Sequence, residues 1–537
     1  MDEKSSNPST NADEKKVTVL VVWLALTAIL CGLGAANITQ PGLYYDEAVF
    51  GGLAKDFVNG LPRGQHMPNT ETVMVFGHPF PLFVQSYLGA VKSWVLIPTV
   101  ALFGPTLPVL RLTNVCWSAA GLLFFLLWTR RVAGLGIALT SAALLTLDPA
   151  FFFTSILDWG AGAPSLFFRF AGLFFTVRAW EKGQGRDALL AGLSFGLGLF
   201  NKIDFALLLL ALAAATVVVL ANSLADLVVR RRTLVALGGL GFLLGVGLLL
   251  PHVPRILAVH APAGAGEWRE KLRILQTMLD GSYFYRLMAT GGRFETMFAI
   301  ASVAWTPFAP VFALASAVLL MLALRGGEWR RWSVFLLLTF FCAATGLMLL
   351  PNAVRLHHAL LLMPLPQWIV ATAFAAAWKQ WPRARAWPVL GLALLLCWQT
   401  AAIWQTQRLI RQTGGRGNWS EALDQFCREV QHRTDLTIIC LDWGFNEQLL
   451  YLTDGPRLEE PVWNWINQPA ARRANPPTAA NLVYLFHPED FSKFAYGAEF
   501  MRLPPPGGKR LFTQTWRDAQ GQPAFYSARF VDEEPPR

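Results

Sequence analysis

Long apolar runs that alternate with short basic clusters restrict the fold of this sequence more than any other feature. The first run covers residues 17–36, and about 20 apolar residues suffice to cross a bilayer as a helix. Only 15% of the residues are charged, whereas soluble domains have about a quarter. Further runs lie at residues 107–128, 132–147, 159–177, 188–200, 203–220, 234–251, 297–324, 332–350, 359–377 and 387–404. The sequence therefore predicts an all-α polytopic membrane bundle of roughly eleven transmembrane helices.

The basic clusters predict how this bundle is oriented. They occupy every second loop between the runs, which is typical of cytoplasmic loops. Their members are Arg130, Arg131, Arg178, Lys182, Arg186, Arg230, Arg231, Arg232, Arg325, Arg330, Arg331, Lys379, Arg383 and Arg385. We therefore expect a multi-pass protein of the cell inner membrane with a cytoplasmic N-terminus. The loop 37–106, the turn 148–158, the loop 252–294 and the chain after residue 405 would be extracytoplasmic.

Composition divides the chain into three parts. Residues 1–16 are polar and predict a disordered cytoplasmic tail. Residues 17–405 form the predicted membrane domain, which includes the first outer loop at 37–106. Residues 406–537 are polar and Pro-rich, and they predict a small extracytoplasmic α/β domain. Strand-like runs in this last part lie at 436–441, 481–486 and 524–531.

The net charge of +10 does not indicate nucleic-acid binding. Many of the basic residues lie in short turns between apolar runs, where they set membrane orientation. The sequence has no zinc-finger spacing, no basic helix and no aromatic RNA-binding motif. We therefore expect membrane lipids, and no nucleic acid, among the partners.

The cysteines give little information about disulfides or metal sites. Cys427 and Cys440 lie in the C-terminal part and could form a disulfide if that part is extracytoplasmic, or remain two free thiols. No CxxC metal spacing occurs. A cofactor is not indicated, a divalent metal is possible, and the sequence shows no clear ligand set for one.

An acidic pair, Asp46-Glu47, follows the first apolar run and is flanked by aromatic residues. Adjacent residues of a helix do not face the same way, so one carboxylate can act while the other orients it. The alternative is an ordinary solvated helix start with acidic residues in its first turn. The pair is therefore the first candidate for a reactive site.

The loop after the acidic pair has its own apolar structure. Residues 48–58 have an amphipathic helical pattern, and polar turns lead to His78-Pro79-Phe80-Pro81 and an apolar stretch at 83–103. Membrane-hugging amphipathic helices are more than a connector requires. We interpret this loop as a cover over a site at the lipid interface.

The order of these elements resembles the GT-C superfamily of lipid-linked glycosyltransferases. An acidic pair after helix one, a His-Pro-x-Pro element at His78, Phe-Gly at 103–104 and Arg111-Leu112 at helix two carry the resemblance. Within that superfamily, the sequence is similar to the branch that contains protein O-mannosyltransferases and the aminoarabinose transferase of lipid A. The resemblance covers about the first four hundred residues and implies that residues 17–405 form a GT-C-like catalytic domain.

The resemblance implies roles for the residues of the first loop. A carboxylate of the pair serves as the base or orients the acceptor, which implies Asp46, with Glu47 in support. The aminoarabinose transferase has a Lys where His78 stands and an acidic residue just before it, whereas this chain has Gly77 there. Eukaryotic protein mannosyltransferases carry an added β-trefoil domain, and no insertion of that size occurs here, so protein mannosylation is not favoured.

Two further turns contain candidate residues. Asp158 lies in the turn between the third and fourth runs, where similar proteins place a second carboxylate; a helix cap is the alternative. Lys202 and Asp204 could pair with each other, but the resemblance implies a donor-phosphate role for Lys202. Arg169 falls mid-span and needs a partner in the bundle interior.

Basic residues of the outer side are candidates for binding the donor phosphate. A polyprenyl-phosphate donor leaves an anionic phosphate, and preformed cations stabilise the charge that develops on it. The candidates are His78, Lys202, Arg255, Arg355 and His358, of which Arg355 and His358 come first. Contact with lipid head groups is the alternative for Arg255, Arg355 and His358.

These parts predict transfer of a sugar from a polyprenyl-phosphate carrier to a lipid, glycan or protein acceptor, with inversion at the anomeric carbon. A transporter or flippase is the main alternative, but such proteins often show inverted repeats, and none is found. A third alternative is a non-catalytic scaffold, but this function would not explain the structure predicted for the first loop. A surface-polysaccharide polymerase or ligase is the nearest enzymatic alternative.

Overall fold

A computed structural model describes residues 8–158, 160–258, 265–351, 355–468, 478–505 and 507–532. The chain forms two compact units. The membrane unit contains residues 1–36, 114–283 and 304–404, and the second unit, here called the loop unit, contains residues 37–113, 284–303 and 405–537. The first outer loop and the C-terminal part therefore belong to one unit although they are far apart in sequence.

The membrane helices confirm the predicted all-α membrane bundle. Seven helices of the described residues are long and apolar enough to cross a membrane, and a bent pair, Leu135–Thr146 with Pro149–Ile156, turns by 65°. The seven are Val17–Ala35, Leu107–Ala133, Arg232–His252, Phe308–Arg325, Arg330–Leu349, Leu356–Gln380 and Ala386–Thr413. Helices Gly162–Lys182, Gly185–Asn201 and Phe205–Arg230 occupy three more predicted runs. A count of eleven spans is not confirmed.

The first helix begins earlier than the sequence suggested. It covers Pro8–Ala35, so residues 8–16 of the segment expected to be disordered are helical, and residues 1–7 lie outside the described residues. Extending an existing helix costs far less than nucleating one. The apolar run therefore supplies the nucleus for the polar residues before it.

Glycines allow two helices of the membrane unit to pack closely. A Cβ at Gly192 would lie 1.9 Å from the carbonyl oxygen of Gly238, and one at Gly241 would lie 2.1 Å from that of Leu189. The helices Gly185–Asn201 and Arg232–Val246 thus meet backbone to backbone. Small residues at such contacts are the usual means of helix association in membranes.

The first outer loop differs in part from its prediction. Its amphipathic helix is present as Tyr45–Asn59, and the apolar helix Val91–Phe103 ends the loop. Between them lies a three-stranded antiparallel sheet, β1 (Glu71–Val75), β2 (His78–Gln85) and β3 (Leu88–Gly89). The apolar stretch at 83–103 is therefore part strand and part helix.

The C-terminal part confirms the predicted small α/β domain. Its five strands are β4 (Thr437–Cys440), β5 (Arg457–Glu459), β6 (Leu482–Phe486), β7 (Lys509–Arg517) and β8 (Pro523–Asp532). They form one sheet in the order β5-β4-β6-β8-β7, with β4 parallel to β5 and β6, and β8 antiparallel to its neighbours. Its helices are Ala422–Val430, Asn446–Leu452, Val462–Asn467 and Tyr496–Arg502. Cys427 and Cys440 are buried free thiols in its core.

Shorter helices complete the described chain. Some form parts of the spans Arg232–His252 and Leu356–Gln380, and the others lie between spans or in the loop unit. They are Val253–Ala258, Ala265–Leu279, Tyr283–Thr290, Phe294–Met297 and Leu356–Ala359, with 3₁₀ turns at Gly247–His252, Leu360–Leu362, Pro382–Ala384 and Gly417–Trp419.

Candidate functional site

The helix Tyr45–Asn59 presents the two carboxylates of the acidic pair differently. Both lie in its first turn, where negative charge is stabilised by the helix dipole. Asp46 is half-buried, whereas Glu47 is fully buried. Of these two carboxylates, only that of Asp46 is therefore accessible to a ligand from solvent.

Glu47 forms a buried ion pair with Arg111. The arginine Nε lies 3.2 Å from Glu47 Oε1 and Nη2 lies 3.3 Å from Oε2, with both side chains inaccessible to solvent. Arg111 also donates to the carbonyl oxygens of Ile38 and Gly42. Such a two-pronged pair satisfies the charge of both partners, so Glu47 holds the start of the helix in place.

A second buried cluster joins the same helix to the C-terminal domain. His66 Nε2 lies 2.9 Å from Asp56 Oδ2, and its Nδ1 lies 2.8 Å from Glu447 Oε2. Glu447 also accepts a hydrogen bond from the backbone N–H of Met67. Burial alone would lower the pKa of His66, but the two carboxylates outweigh it and raise the pKa to about 10. The imidazolium is therefore charged at neutral pH and fixes the loop against the domain.

This raised pKa predicts a stability that depends on pH. The folded-state pKa of His66, about 10, exceeds its ordinary value of 6.5, so its stabilisation is complete below about pH 6.5 and is lost as the pH rises through about 10. We expect His66→Gln to lower the thermal unfolding midpoint at neutral pH and to differ less from the wild type near pH 10. Exposed His432 provides the control variant, His432→Gln. An equal difference at both pH values would contradict a charged His66.

A cationic cluster lies in the membrane unit. Lys202 Nζ is 2.9 Å from Asp204 Oδ2 and 3.1 Å from the carbonyl oxygen of His357, and His358 Nδ1 is 3.1 Å from the same Asp204 oxygen. Lys202 and Asp204 thus pair, as the sequence allowed. Arg169 donates to the carbonyl of Met363 and lines the same cavity as Lys202 and Asp204.

The cavity at this cluster has more cations than carboxylates. Arg169 and Lys202 are 3% and 4% exposed, and Asp204 is the carboxylate that accompanies them. Arg355 is exposed at the start of the short helix Leu356–Ala359, and its carbonyl accepts from the His358 N–H. The cavity measures only about 10 Å³, which is room for about one water. The candidate role in binding an anion therefore rests on its two buried cations and not on its volume.

Asp158 is fully buried in the membrane unit. Its Oδ1 accepts a hydrogen bond of 2.6 Å from the N–H of Gly162, the first residue of the helix Gly162–Lys182. The carboxylate therefore satisfies one of the backbone donors at the helix start. Gly162 lines the cavity with Lys202, so the structure places Asp158 beside the cationic cluster.

His78 and Arg255 are the two remaining candidates. His78 begins β2 in the loop unit, and its Nδ1 is 2.6 Å from the carbonyl oxygen of Phe57. It therefore shares a unit with Asp46, not with Lys202, Arg355 or His358. Arg255 lies in the helix Val253–Ala258, and its side chain is outside the part of the chain that the structure describes.

The sequence did not identify several members of these clusters. Glu447 is 381 residues from His66 along the chain, and no local pattern connects them. Arg111 was noted only as part of the family resemblance, although an Arg at the start of an apolar run needs a partner. Among the described residues, no three His, Cys, Asp or Glu side chains converge on a metal site, so no ligand set is assigned to a metal.

Known proteins resemble this chain both in part of its sequence and in its fold. Residues 89–252 match the family model for dolichyl-phosphate-mannose-protein mannosyltransferase. The fold is similar to that of ArnT from Cupriavidus metallidurans, both in the apo state and bound to undecaprenyl phosphate. Each match has a TM-score of 0.53 at 14% identity, covering 97% of this chain and 98% of that chain. No curated protein matches the sequence.

An archaeal enzyme has a related fold. The oligosaccharyltransferase of Archaeoglobus fulgidus in its apo form matches with a TM-score of 0.50 at 12% identity, covering 82% of this chain and 64% of that chain. At these identities the structural likeness is one of fold. With the family match, it confirms the predicted resemblance to GT-C superfamily glycosyltransferases.

Proposed function

We propose that this chain, which has the GT-C glycosyltransferase fold, transfers a sugar from a polyprenyl-phosphate donor to an acceptor hydroxyl or amine. The half-buried Asp46 carries the proposal, because it is the carboxylate of the pair that solvent reaches, whereas Glu47 is fully buried against Arg111. The ArnT structure bound to undecaprenyl phosphate supports a donor of this lipid class.

The proposed reaction is a direct displacement. An acceptor oxygen or nitrogen attacks the anomeric carbon, and its proton passes to the carboxylate of Asp46, the general base. The bond between that carbon and the phosphate oxygen breaks, and its electron pair leaves with polyprenyl phosphate. One displacement inverts the anomeric centre. Glu47 positions the helix start, and Asp158 is proposed to orient the acceptor.

The leaving phosphate requires preformed cations. We assign this role first to Arg355 and His358, with Lys202, His78 and Arg255 as further ligands. The support is that two buried cations, Lys202 and Arg169, line one cavity of the membrane unit. Arginine can hold phosphate through two parallel hydrogen bonds.

The proposed location is the cell inner membrane. The apolar helices make the chain a multi-pass membrane protein. The basic clusters of every second loop support a cytoplasmic N-terminus, with residues 37–106 and 406–537 on the extracytoplasmic face. Membrane lipids surround the catalytic domain at 17–405, and the acceptor is a lipid, a glycan or a protein.

Turnover of defined donors tests the enzyme class. Purified protein in lipid nanodiscs is incubated with a panel of polyprenyl-phosphate sugars, and the released polyprenyl phosphate is quantified by mass spectrometry. We expect release from at least one donor when acceptor is present. Movement of intact donor across proteoliposomes without cleavage would instead identify a transporter.

Replacing Lys202 tests the cationic cluster. We expect Lys202→Met to raise the KM for the donor by about ten- to a hundredfold with a smaller change in kcat, because a charge-assisted hydrogen bond is worth about 1.5–3 kcal/mol. Lys379→Met is the matched control, since Lys379 is exposed and pairs with exposed Glu328. An unchanged donor KM in Lys202→Met would remove this lysine from the phosphate site.

A further inference from the structure

A cavity of about 440 Å³ lies in the loop unit beside the His66 cluster. Small-molecule sites typically measure about 300–1,000 Å³. Its walls come from the helix Tyr45–Asn59, from the segment before β1 and from the C-terminal domain. The lining residues that matter here are Asp56, His66, Asn69, Glu460, Trp463 and Asn464. None of them was singled out by the sequence.

Two residues that line this cavity each have a buried carboxyl oxygen without a hydrogen-bond partner among the described residues. They are Asp56 Oδ1 and Glu460 Oε1, on side chains of residues that are only 3% and 9% exposed. The other oxygens are engaged: His66 bonds Asp56 Oδ2, and Glu460 Oε2 accepts from the Tyr45 hydroxyl at 3.1 Å and from Trp463 Nε1 at 2.9 Å. Buried polar atoms in native proteins are nearly always satisfied, so these two indicate a polar ligand.

The titratable residues that line the cavity carry little net charge at neutral pH. Protonated His66 offsets the carboxylate of Asp56, and its second carboxylate partner, Glu447, is not among the lining residues. Burial, and then the charge of Glu447, raise the pKa of Glu460 to about 8. At neutral pH Glu460 is therefore mostly protonated, and its proton resides on Oε1 because Oε2 already accepts two hydrogen bonds.

The cavity thus offers one donor, at Glu460, and one acceptor, at Asp56. A hydroxyl group both donates and accepts, whereas an ammonium group can only donate. Trp463 is half-buried in the wall and adds an aromatic surface for the apolar face of a ring. Asn69 and Asn464 supply further donors and acceptors. Several hydroxyls on one compact ring match this arrangement better than an amine does.

We propose that the cavity between Asp56, Glu460 and Trp463 binds a sugar ring through its hydroxyl groups, as a subsite for a glycan acceptor. The acceptor assignment rests on the proposed transferase function. Its structural support is Tyr45, which precedes Asp46 in the chain and donates its hydroxyl to Glu460. The cavity and the proposed base are therefore tied to the same helix start.

Sugar binding without the donor tests this subsite. Full-length protein in nanodiscs is titrated with a panel of methyl glycosides and followed by saturation-transfer NMR. We expect at least one glycoside to bind, and Glu460→Ala or Trp463→Leu to weaken it about tenfold or more. Glu460→Gln should retain binding, because an amide still offers a donor to the cavity and an acceptor to Tyr45. Glu459→Ala, at an exposed residue that pairs with Arg457, should bind like the wild type.

The outcomes separate the subsite from the transferase. No binding of any glycoside to the wild type, or unchanged binding in both Glu460→Ala and Trp463→Leu, would overturn the subsite even if transfer to another acceptor occurs. Glycoside binding without turnover of any polyprenyl-linked donor would refute the acceptor role and the transferase together. Asp46→Asn should bind the glycoside normally, since it alters the base and not the cavity.

Discussion

Asp46→Asn is expected to lower kcat by about 10²–10⁴-fold, the usual contribution of a general base. The amide cannot take the acceptor proton, yet it has nearly the shape of the carboxylate. Because Asp46 is half-buried and stands outside the Glu47–Arg111 pair, the thermal unfolding midpoint should stay close to that of the wild type. Steady-state release of polyprenyl phosphate measures the loss.

Two further variants sharpen this result. Asp46→Glu keeps a carboxylate and should recover part of kcat, while Asp454→Asn alters a half-exposed carboxylate that pairs with Lys55 and should keep kcat. A loss confined to KM would mean that Asp46 only binds the acceptor. Full activity in Asp46→Asn would remove it from the chemistry.

Glu47→Ala is expected to have the largest effect on stability. It leaves Arg111 charged and fully buried without its carboxylate, and breaking a buried pair in this way costs about 3–5 kcal/mol. We expect a large fall in the thermal unfolding midpoint of the purified protein. The double variant Glu47→Leu with Arg111→Met should recover much of it, because an apolar pair of similar volume no longer buries an uncompensated charge.

The neighbouring carboxylate provides the control for this effect. Asp46→Asn changes the adjacent residue of the same helix turn and should not destabilise the fold. If Glu47→Ala unfolds at the wild-type midpoint, Glu47 does not hold the helix start, and the division of roles between the two acidic residues would be wrong.

The membrane helices could be predicted because the bilayer imposes a length and an apolar composition on each local segment. The predicted run at 332–350 is thus found as the helix Arg330–Leu349. The prediction for the run at 297–324 was less accurate, since the helix there begins only at Phe308. Residues 300–307 are mostly apolar and contribute to the apolar average of the run, yet they are not helical.

The hairpin of the first outer loop could not be predicted so directly. Proline usually interrupts a strand, yet Pro79 and Pro81 both lie in β2. They stand opposite Met74 and Thr72 of β1. The ladder between β2 and β3 involves only Phe83 and Gln85 on the β2 side, so the prolines occupy a stretch that resembles an edge strand, where proline is tolerated. Phe76 and Gly77, both with positive φ, form the turn before them.

The site was predictable where it depends on adjacent residues and hidden where it depends on tertiary contacts. Asp46-Glu47 is visible as a pair, but the buried ion pair of Glu47 is formed with Arg111, 64 residues away. The same holds for Glu460, whose partner Tyr45 is 415 residues distant in sequence. Long-range pairs of this kind leave no periodic signal in a single sequence.

The stoichiometry and stereochemistry of one transfer reaction test the central claim most directly. Reconstituted wild-type protein is given a polyprenyl-phosphate sugar of known anomeric configuration and an acceptor, and both products are quantified and analysed by NMR. We predict one polyprenyl phosphate for each sugar transferred, an inverted anomeric centre, and neither product from Asp46→Asn. Equal product from Asp46→Asn, or transfer with retention, would contradict a direct displacement with Asp46 as the base.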